Sequence, residues 1–298
     1  MKSLMSLNIR KKTRLNRWSN LLFIIIPFLL IIVLMLIPFA RTIFYSFTKV
    51  QGSNSQFIGF QNYMFLSQNT HFLNAIKNNF LISLATPLWA GIPLIIAVIL
   101  FQNPGALLKT ARMTIMLPFA LSMTVVGLIF RSLFHLKGPI NEILTNIGLG
   151  FLALDWLGNY KFAMPIIIVT AIWKDFGILT VIYLAGLSNI NKDIIEAAKI
   201  DGANWFHEFR YIIVPSLNPI IVFVVALVLI GDFRYMFDYV YNMTLGGPGF
   251  ATETIEFLLY NEAFRFFNIG FASTLGILIF VIIIIITFFQ IKIMTKKN

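Results

Sequence analysis

The sequence contains no cysteine and few charged residues. Without cysteine the chain can form neither a disulfide, nor a thiolate nucleophile, nor a cysteine-bound metal site. Only 12% of the 298 residues are charged and 58% are hydrophobic, whereas soluble domains are about 25% charged. A chain this apolar must use lipid as its solvent. Because the apolar runs are evenly spread, they favour one integral membrane domain.

Acidic residues are also scarce: Asp and Glu number 12 against 23 Lys and Arg, for a formal net charge of +11. Much of the excess lies before the first apolar run or at and after the end of the last one, at Lys2, Arg10, Lys11, Lys12, Arg14, Arg17, Lys292, Lys296 and Lys297. Basic residues flanking membrane spans mark the cytoplasmic side. We therefore expect a cytoplasmic basic segment at residues 1–20 and a cytoplasmic tail at residues 295–298. Membrane topology and anionic-lipid contact explain this charge better than nucleic-acid binding does.

The motifs of an enzyme are missing. No G-x-x-x-x-G-K-[ST] sequence is present to hold nucleotide phosphates, and no Ser, His and carboxylate set for nucleophilic catalysis can be recognised. His71, His135 and His207 are far apart and lack ligand spacing with acids, so we expect loop or cap histidines rather than metal ligands. These absences favour transport over catalysis and predict no cofactor in this chain.

Six apolar runs are long enough to cross about 30 Å of hydrocarbon. They are residues 21–44, 80–101, 113–134, 162–187, 220–240 and 271–294. The first run is too long for the apolar part of a signal peptide, so we expect an uncleaved span. An even number of spans places both termini on one side, which the basic ends identify as the cytoplasm. Residues 21–294 are thus predicted to form a single transmembrane domain.

The longest polar interval, residues 191–219, predicts two short helices in water. Ile194, Ile195 and Ala198 recur at helical spacing. Gly202 can then adopt a positive φ and reverse the chain. A second helical pattern continues to Pro215, where proline marks the return to the bilayer.

Within this interval, Glu196-Ala197-Ala198, Asp201-Gly202-Ala203, Ile212 and Pro215 stand at the spacing of a known motif. The interval resembles the EAA loop of membrane subunits in bacterial ATP-driven importers, and we use that name for residues 191–219. The resemblance implies that the loop seats in a groove on a separate ATPase subunit. Its implied ATPase-coupling residues are Glu196, Ala197, Ala198, Asp201, Gly202, Ala203, Trp205, Phe209 and Pro215. The alternative is an ordinary amphipathic linker between two spans.

The resemblance extends over about residues 20–290. Residues 57–80 and 237–252 are similar to the corresponding segments of maltose-type carbohydrate importers. The chain resembles the larger membrane subunit of such importers, but it lacks the large external insertion of that subunit. The resemblance implies an all-α, six-span permease with the type I ABC importer fold in a bacterial inner membrane. The implied partners are a second related permease subunit, two ATPase subunits that hold ATP and Mg²⁺, an external binding protein and a sugar substrate. The implied mechanism is ATP-driven alternating access.

Two other classes of protein remain as alternatives. An ion-gradient transporter would be expected to show inverted repeats and broken midplane helices, and neither is evident in the sequence. A membrane-embedded enzyme would need a set of catalytic residues, and no such set can be recognised in the sequence.

Charged residues inside spans are costly and mark candidate functional sites. The fourth run contains Lys174 and Asp175, and the fifth combines acids and a base with several tyrosines. Sugars are bound by planar polar groups and aromatic faces, so the candidate residues for a sugar pathway near the midplane are Trp173, Asp232, Arg234, Tyr235 and Asp238. Arg234 and Asp238 are four residues apart and can pair on one helix face. Alternatively, these charges hold helices together or line a water-filled vestibule, which we favour for Lys174.

Overall fold

A computed structural model describes residues 23–51, 54–102, 105, 110 and 114–295. The predicted basic segment 1–20 and almost all of the predicted tail 295–298 lie outside these residues. Within them, five helices are long and apolar enough to cross a membrane, and all five belong to runs expected from the sequence. They are α1 (Phe23–Ser46), the pair α3 (Thr70–Leu84) and α4 (Thr86–Gln102), α8 (Ala163–Leu187), α11 (Asn218–Met243) and α13 (Ile269–Thr295).

Shorter elements connect these helices. They are β1 (Thr48–Gln51), β2 (Asn54–Phe57), α2 (Gln61–Leu66), α5 (Leu117–Ala120), α6 (Met123–Leu133), α7 (Pro139–Asn146), α9 (Lys192–Ile200), α10 (Trp205–Glu208) and α12 (Ile255–Tyr260). The two strands form an antiparallel hairpin in which Thr48 is opposite Phe57, a detail that the sequence did not predict. The other regular elements of the described chain are helices, as expected.

The second span is longer than expected because α3 continues into α4 through a single turn at Ala85. Pro87 explains this turn, since proline has no N–H to donate to the carbonyl four residues earlier. The pair together covers 33 residues. It therefore reaches well beyond residues 80–101, the range that hydropathy alone predicted.

The third predicted span, residues 113–134, is not one continuous helix in the described part of the chain. The chain breaks at Leu121, and Ser122 caps the next helix by accepting a hydrogen bond from the Val125 N–H at 3.3 Å. α6 has 11 residues, which at 1.5 Å per residue span about 16 Å, roughly half of the hydrocarbon thickness. Apolar residues flank the break on both sides, but the local cap at Ser122 competes with helix continuation.

The bundle core is formed where α4, α8 and α11 meet. Its buried side chains include Trp89, Ile167, Tyr183, Met236 and Tyr239. A second, smaller cluster joins α3, α12 and α13 through side chains that include Phe72, Ile255 and Phe271. α1 packs against α13, but none of its most apolar stretch is buried. Such a helix is suited to a lipid environment.

α8 approaches its neighbours most closely at two glycines. A Cβ atom added at Gly177 would overlap the backbone carbonyl of Ile115, and one added at Gly186 would overlap the side chains of Ile220 and Leu217. The first contact is with backbone, which cannot move aside as a side-chain tip can. Gly177 therefore sets the distance between α8 and the segment before α5.

Candidate functional site

The EAA loop begins with a helix that ends in a tight reversal. Asn191 caps the start of α9 with its side-chain oxygen. At the other end, the Gly202 N–H donates to the Lys199 carbonyl and the Ala203 N–H donates to the Ala198 carbonyl, which is a Schellman motif. Gly202 has a φ of +83°, a conformation that glycine adopts without steric cost. The reversal expected at Gly202 is confirmed.

The second half of the loop returns the chain to the bundle. Asn204 caps α10 by accepting a hydrogen bond from the His207 N–H at 2.9 Å. A π-helical turn, Phe209–Ile213, and a short helical segment, Val214–Ser216, lead into α11. Pro215 lies in the first turn of that segment, close to the start of α11.

The residues assigned to ATPase coupling lie mostly at the surface. The exposed ones are Glu196, Ala197, Asp201, Gly202, Trp205 and Pro215, and the half-buried ones are Ala198, Ala203 and Phe209. Large apolar side chains on the same loop are also exposed, including Ile200 at 86% and Phe206 at 61%. Exposed apolar side chains among charges are typical of a surface that binds another protein.

Two residues that the sequence analysis missed tie this loop to the bundle. Glu208, at the end of α10, is only 3% exposed. Its carboxylate accepts a hydrogen bond from the Nε2 of Gln102, the last residue of α4. The Gln102 Oε1 accepts a second hydrogen bond from the Trp205 indole N–H at 3.0 Å, and the Trp205 ring stacks on Phe209 with centroids 5.3 Å apart. No local pattern signals this contact, because its partners are more than 100 residues apart.

A cavity of about 390 Å³ lies among α4, α5, α6, α8 and α11. Its wall is mainly apolar, with a few polar groups that face it from three helices. These are Trp89 on α4, Lys174 and Asp175 on α8, and Tyr235 and Tyr239 on α11. Such a combination is typical of a small-molecule site.

The polar groups of the cavity differ in whether they already have partners. The Lys174 ammonium donates to the Phe119 carbonyl at 3.3 Å and lies 4.8 Å from the centre of the Phe119 ring. The Tyr239 hydroxyl is buried and, within the described part of the chain, has no hydrogen-bond partner. A buried donor without a partner is costly unless something else, such as a ligand or water, can bind to it.

Residues 81–297 match the family described as the inner membrane component of binding-protein-dependent transport systems. This chain belongs to that family. It is therefore a multi-pass inner membrane protein and a transport component rather than an enzyme, as the sequence predicted.

Similar curated permeases cover nearly the whole chain. The sulfoquinovosyl glycerol transport system permease protein SmoG of Agrobacterium fabrum is 31% identical over 96% of this chain and 95% of its own length. The lactose transport system permease protein LacF of Rhizobium radiobacter is 32% identical over 92% of each chain. The multiple sugar-binding transport system permease protein MsmF of Streptococcus mutans is 31% identical over 95% of this chain and 97% of its own length.

The fold is shared with solved ABC transporters. A chain of a bacterial ABC transporter involved in alginate import superposes with a TM-score of 0.83, over 96% of this chain and 99% of that one, at 22% identity. A chain of the MetNI methionine ABC transporter gives 0.56 over 80% of this chain and 99% of that one, at 15% identity. The predicted all-α importer permease fold is thereby confirmed.

In this permease the residues proposed for a substrate pathway do not form one cluster. Tyr235 lines the cavity, with the Arg234 guanidinium 5.2 Å from the centre of its ring. Trp173 is exposed and packs on Phe130 of α6, with ring centroids 5.1 Å apart. Neither Trp173 nor Arg234 is part of the cavity wall.

The two acids proposed on α11 also lie away from the cavity wall. Asp232 is fully buried and accepts a hydrogen bond from the Ser83 hydroxyl at the end of α3, at 3.2 Å. Asp238 is half-buried and, within the described part of the chain, does not pair with Arg234, a pairing that the sequence allowed. The Arg234 side chain lies over Tyr235 instead. The polar and aromatic residues that line the cavity together with Tyr235 are instead Trp89, Lys174, Asp175 and Tyr239.

At the end of the bundle opposite the EAA loop, residues 244–254 form a strap across α3. Asn74 and Asn78 both donate side-chain hydrogen bonds to the Phe250 carbonyl, and Asn78 also donates to the Glu253 carbonyl. The Glu253 carboxylate lies 3.0 Å from the Nδ1 of His71. Burial raises the pKa of Glu253, while the bond with His71 opposes this shift. The strap is thus held to α3 by the His71–Glu253 contact and by several amide hydrogen bonds.

Just beyond the strap, Glu256 is held by α3 in the same way. Its carboxylate accepts a hydrogen bond from the Asn79 side chain at 3.2 Å, and the Asn79 oxygen accepts from the Ile255 N–H at 2.9 Å. Burial raises the pKa of Glu256 to about 7, although hydrogen bonds to its carboxylate, among them the one from Asn79, act against the shift. The start of α12 is therefore fixed to α3 through a carboxyl group that titrates near neutral pH.

Proposed function

We propose that this chain is the permease subunit of an ATP-driven, binding-protein-dependent sugar importer. The proposal rests mainly on the similarity of the whole chain to permeases, several of which are named for sugars or glycosides. The mainly apolar central cavity, with its few polar groups, is consistent with a sugar pathway. Trp89, Tyr235 and Tyr239 offer aromatic faces for the apolar side of a sugar ring. Lys174 and Asp175 offer charged groups for its hydroxyls.

The chain supplies half of the pathway, and a second related permease subunit supplies the rest. Two ATPase subunits hold ATP and Mg²⁺, one docked on the EAA loop of each permease subunit. The exposed Ile200 and Phe206 provide apolar area for that contact, and Glu196 provides a charge for an ion pair with the ATPase. An external binding protein delivers the sugar at the opposite end of the bundle.

This arrangement requires the EAA loop and both termini to face the cytoplasm. Because the natural chain has no cysteine, single-cysteine variants report topology without interference. Lys199→Cys, on the EAA loop, should be protected from a membrane-impermeant maleimide in intact cells and labelled in permeabilised cells. Lys137→Cys, beside α7 at the opposite end, should be labelled in intact cells. The reverse pattern would contradict the topology.

The function itself is tested by transport. The chain, its sister permease, the ATPase and the binding protein are reconstituted in proteoliposomes without an ion gradient. Uptake of the sugar that the binding protein retains should then require ATP inside, where the ATPase is exposed, and binding protein outside. Uptake driven by an ion gradient in the absence of ATP would exclude an ATP-driven importer.

A further inference from the structure

Gln102 connects two parts of the molecule that are far apart in sequence. It is the last residue of α4, and its side-chain amide bonds twice to α10 in the EAA loop. The indole N–H of Trp205 can only donate, so it fixes the amide oxygen of Gln102 toward Trp205. The amide nitrogen then points to the Glu208 carboxylate. Each functional group of the amide is used.

The burial of Glu208 makes its hydrogen bond with Gln102 important. A buried carboxylate needs hydrogen bonds to offset its lost hydration. Among the side chains that the structure describes, Gln102 is the one that donates to the Glu208 carboxylate. Moving α10 away from α4 would break the hydrogen bond from Gln102 to this carboxylate. The two elements are therefore expected to move together.

α4 continues from this contact to the cavity. Trp89, which lines the cavity, lies 13 residues before Gln102 on the same helix, a distance of about 20 Å along its axis. The EAA loop is already joined to α11 by the chain itself, through Phe209–Ile213 and Val214–Ser216. Its link to α4 depends on side chains, and the Gln102 amide provides two hydrogen bonds of that link.

We propose that Gln102 is a positioning residue that transmits movement of the EAA loop through α4 to the Trp89 side of the cavity. The proposal rests on the proposed function, because it assumes that an ATPase moves the loop. We call the hydrogen bonds that join the Gln102 amide to Trp205 and Glu208 the clamp. With the clamp intact, α4 and α11 shift together when the EAA loop is displaced. Without it, the loop can move while the α4 side of the cavity stays behind.

The test uses the complete importer and an exchange of the two side chains. Gln102→Glu places two carboxylates together and removes the donor to Glu208, while Glu208→Gln removes the buried charge that holds the clamp. The double variant Gln102→Glu/Glu208→Gln restores a matched pair. In it, the amide introduced at position 208 can donate to the carboxylate introduced at position 102, and that carboxylate can still accept from Trp205. Gln68→Glu, at an exposed position near α3, is the control for the same chemical change.

The readout is the number of sugar molecules imported per ATP hydrolysed, normalised to assembled complex. Gln102→Glu should lower this ratio by about tenfold, the effect of losing one hydrogen bond to a charged group. The double variant should recover most of it, and Gln68→Glu should match the natural protein. A purely structural role would change the amount of complex but not this ratio.

Two outcomes would overturn the proposal. One is a Gln102→Glu complex with the natural coupling ratio. The other is a double variant that stays uncoupled, or that fails to assemble, although it retains the bonding pattern. If Gln102→Glu alone fails to assemble, recovery of both assembly and coupling in the double variant supports the clamp. Failure of the proposed function is separate, since the natural complex would then show no ATP-driven uptake.

Discussion

The side chains of His71 and Glu253 join α3 to the strap through a hydrogen-bonded contact, with 3.0 Å between Nδ1 and Oε2. The carboxylate is 2% exposed and the imidazole 43% exposed, so the acid depends on this contact more than the base does. His71→Ala should therefore loosen the strap. We expect the free energy of unfolding to fall by about 1 kcal/mol, less than for a fully buried pair because the histidine is partly hydrated.

Hydrogen exchange of the purified protein measures this effect locally. Amides of residues 244–254 should exchange faster in His71→Ala, while those of α8 should not change. His135→Ala removes a histidine at an exposed position near α6 and serves as the control. Equal exchange of the strap in all three proteins would show that the His71–Glu253 contact does not hold it.

Hydropathy predicted all five membrane-length helices of the described chain, because lipid immersion requires long apolar runs whatever their neighbours are. The break at Leu121 could not be predicted in this way, since the run is apolar on both sides of it. The reversal at Gly202 was predictable because it depends on one residue's backbone freedom. The cavity was not: Asp232 and Tyr235 are three residues apart on α11, yet Asp232 bonds to α3 and Tyr235 faces the cavity.

The buried carboxyl of Glu256 makes stability depend on pH. Burial raises its pKa from an ordinary value of 4.5 to about 7 in the folded protein. The folded state therefore binds this proton more tightly than the unfolded state does. Its contribution to stability is fully present below about pH 4.5 and is lost as the pH rises through about 7.

Glu256→Gln tests this dependence, because glutamine keeps the oxygen that accepts from Asn79 and never ionises. At pH 8 the variant should unfold at a higher temperature than the natural protein, and at pH 5 the difference should shrink. Thermal unfolding followed by tryptophan fluorescence at both pH values measures it. Glu142→Gln, in the exposed α7, should show no such trend. A constant difference at both pH values would show that Glu256 does not titrate in this range.

The close approach of α8 to the chain before α5 predicts an unusual sensitivity to one methyl group. Gly177→Ala would place its Cβ against the Ile115 carbonyl, and the resulting displacement should cost about 1–3 kcal/mol of stability and impair transport. Gly91→Ala, in α4, has open space around the added Cβ. It should be neutral or stabilising by up to about 1 kcal/mol, because alanine favours a helix more than glycine does. Similar stability of the two variants would contradict the packing at Gly177.

Substitution of Gly202 tests whether the EAA loop couples ATP hydrolysis to transport, and a second glycine with a positive φ controls for backbone strain. Gly202→Pro cannot adopt the positive φ of this position and would disrupt the end of α9. We expect basal ATP hydrolysis by the complex to persist while transport falls by at least about tenfold, a loss of roughly 1.4 kcal/mol of coupling. Gly148→Pro introduces the same strain at φ +82° in open space after α7. It should leave the coupling ratio unchanged, and a loss as large as that of Gly202→Pro would show that the effect is not specific to the EAA loop.

Two buried tyrosines offer a test of the cavity as a sugar site. Tyr239 and Tyr183 both have hydroxyl groups without a hydrogen-bond partner in the described structure. Only Tyr239 lines the cavity. In an empty protein, removing either hydroxyl should be neutral or slightly stabilising, because an unsatisfied polar group is removed.

The two substitutions should differ once substrate is present. If Tyr239 donates to a sugar hydroxyl, Tyr239→Phe loses that bond and raises the substrate concentration for half-maximal uptake, or lowers the maximal rate, by about tenfold. Tyr183→Phe should transport as the natural protein does. Both variants lose one tyrosine hydroxyl, and they differ in whether that hydroxyl lies at the cavity. Unchanged uptake in Tyr239→Phe would mean that the sugar passes this wall without bonding to Tyr239, and the site would have to lie elsewhere along the pathway.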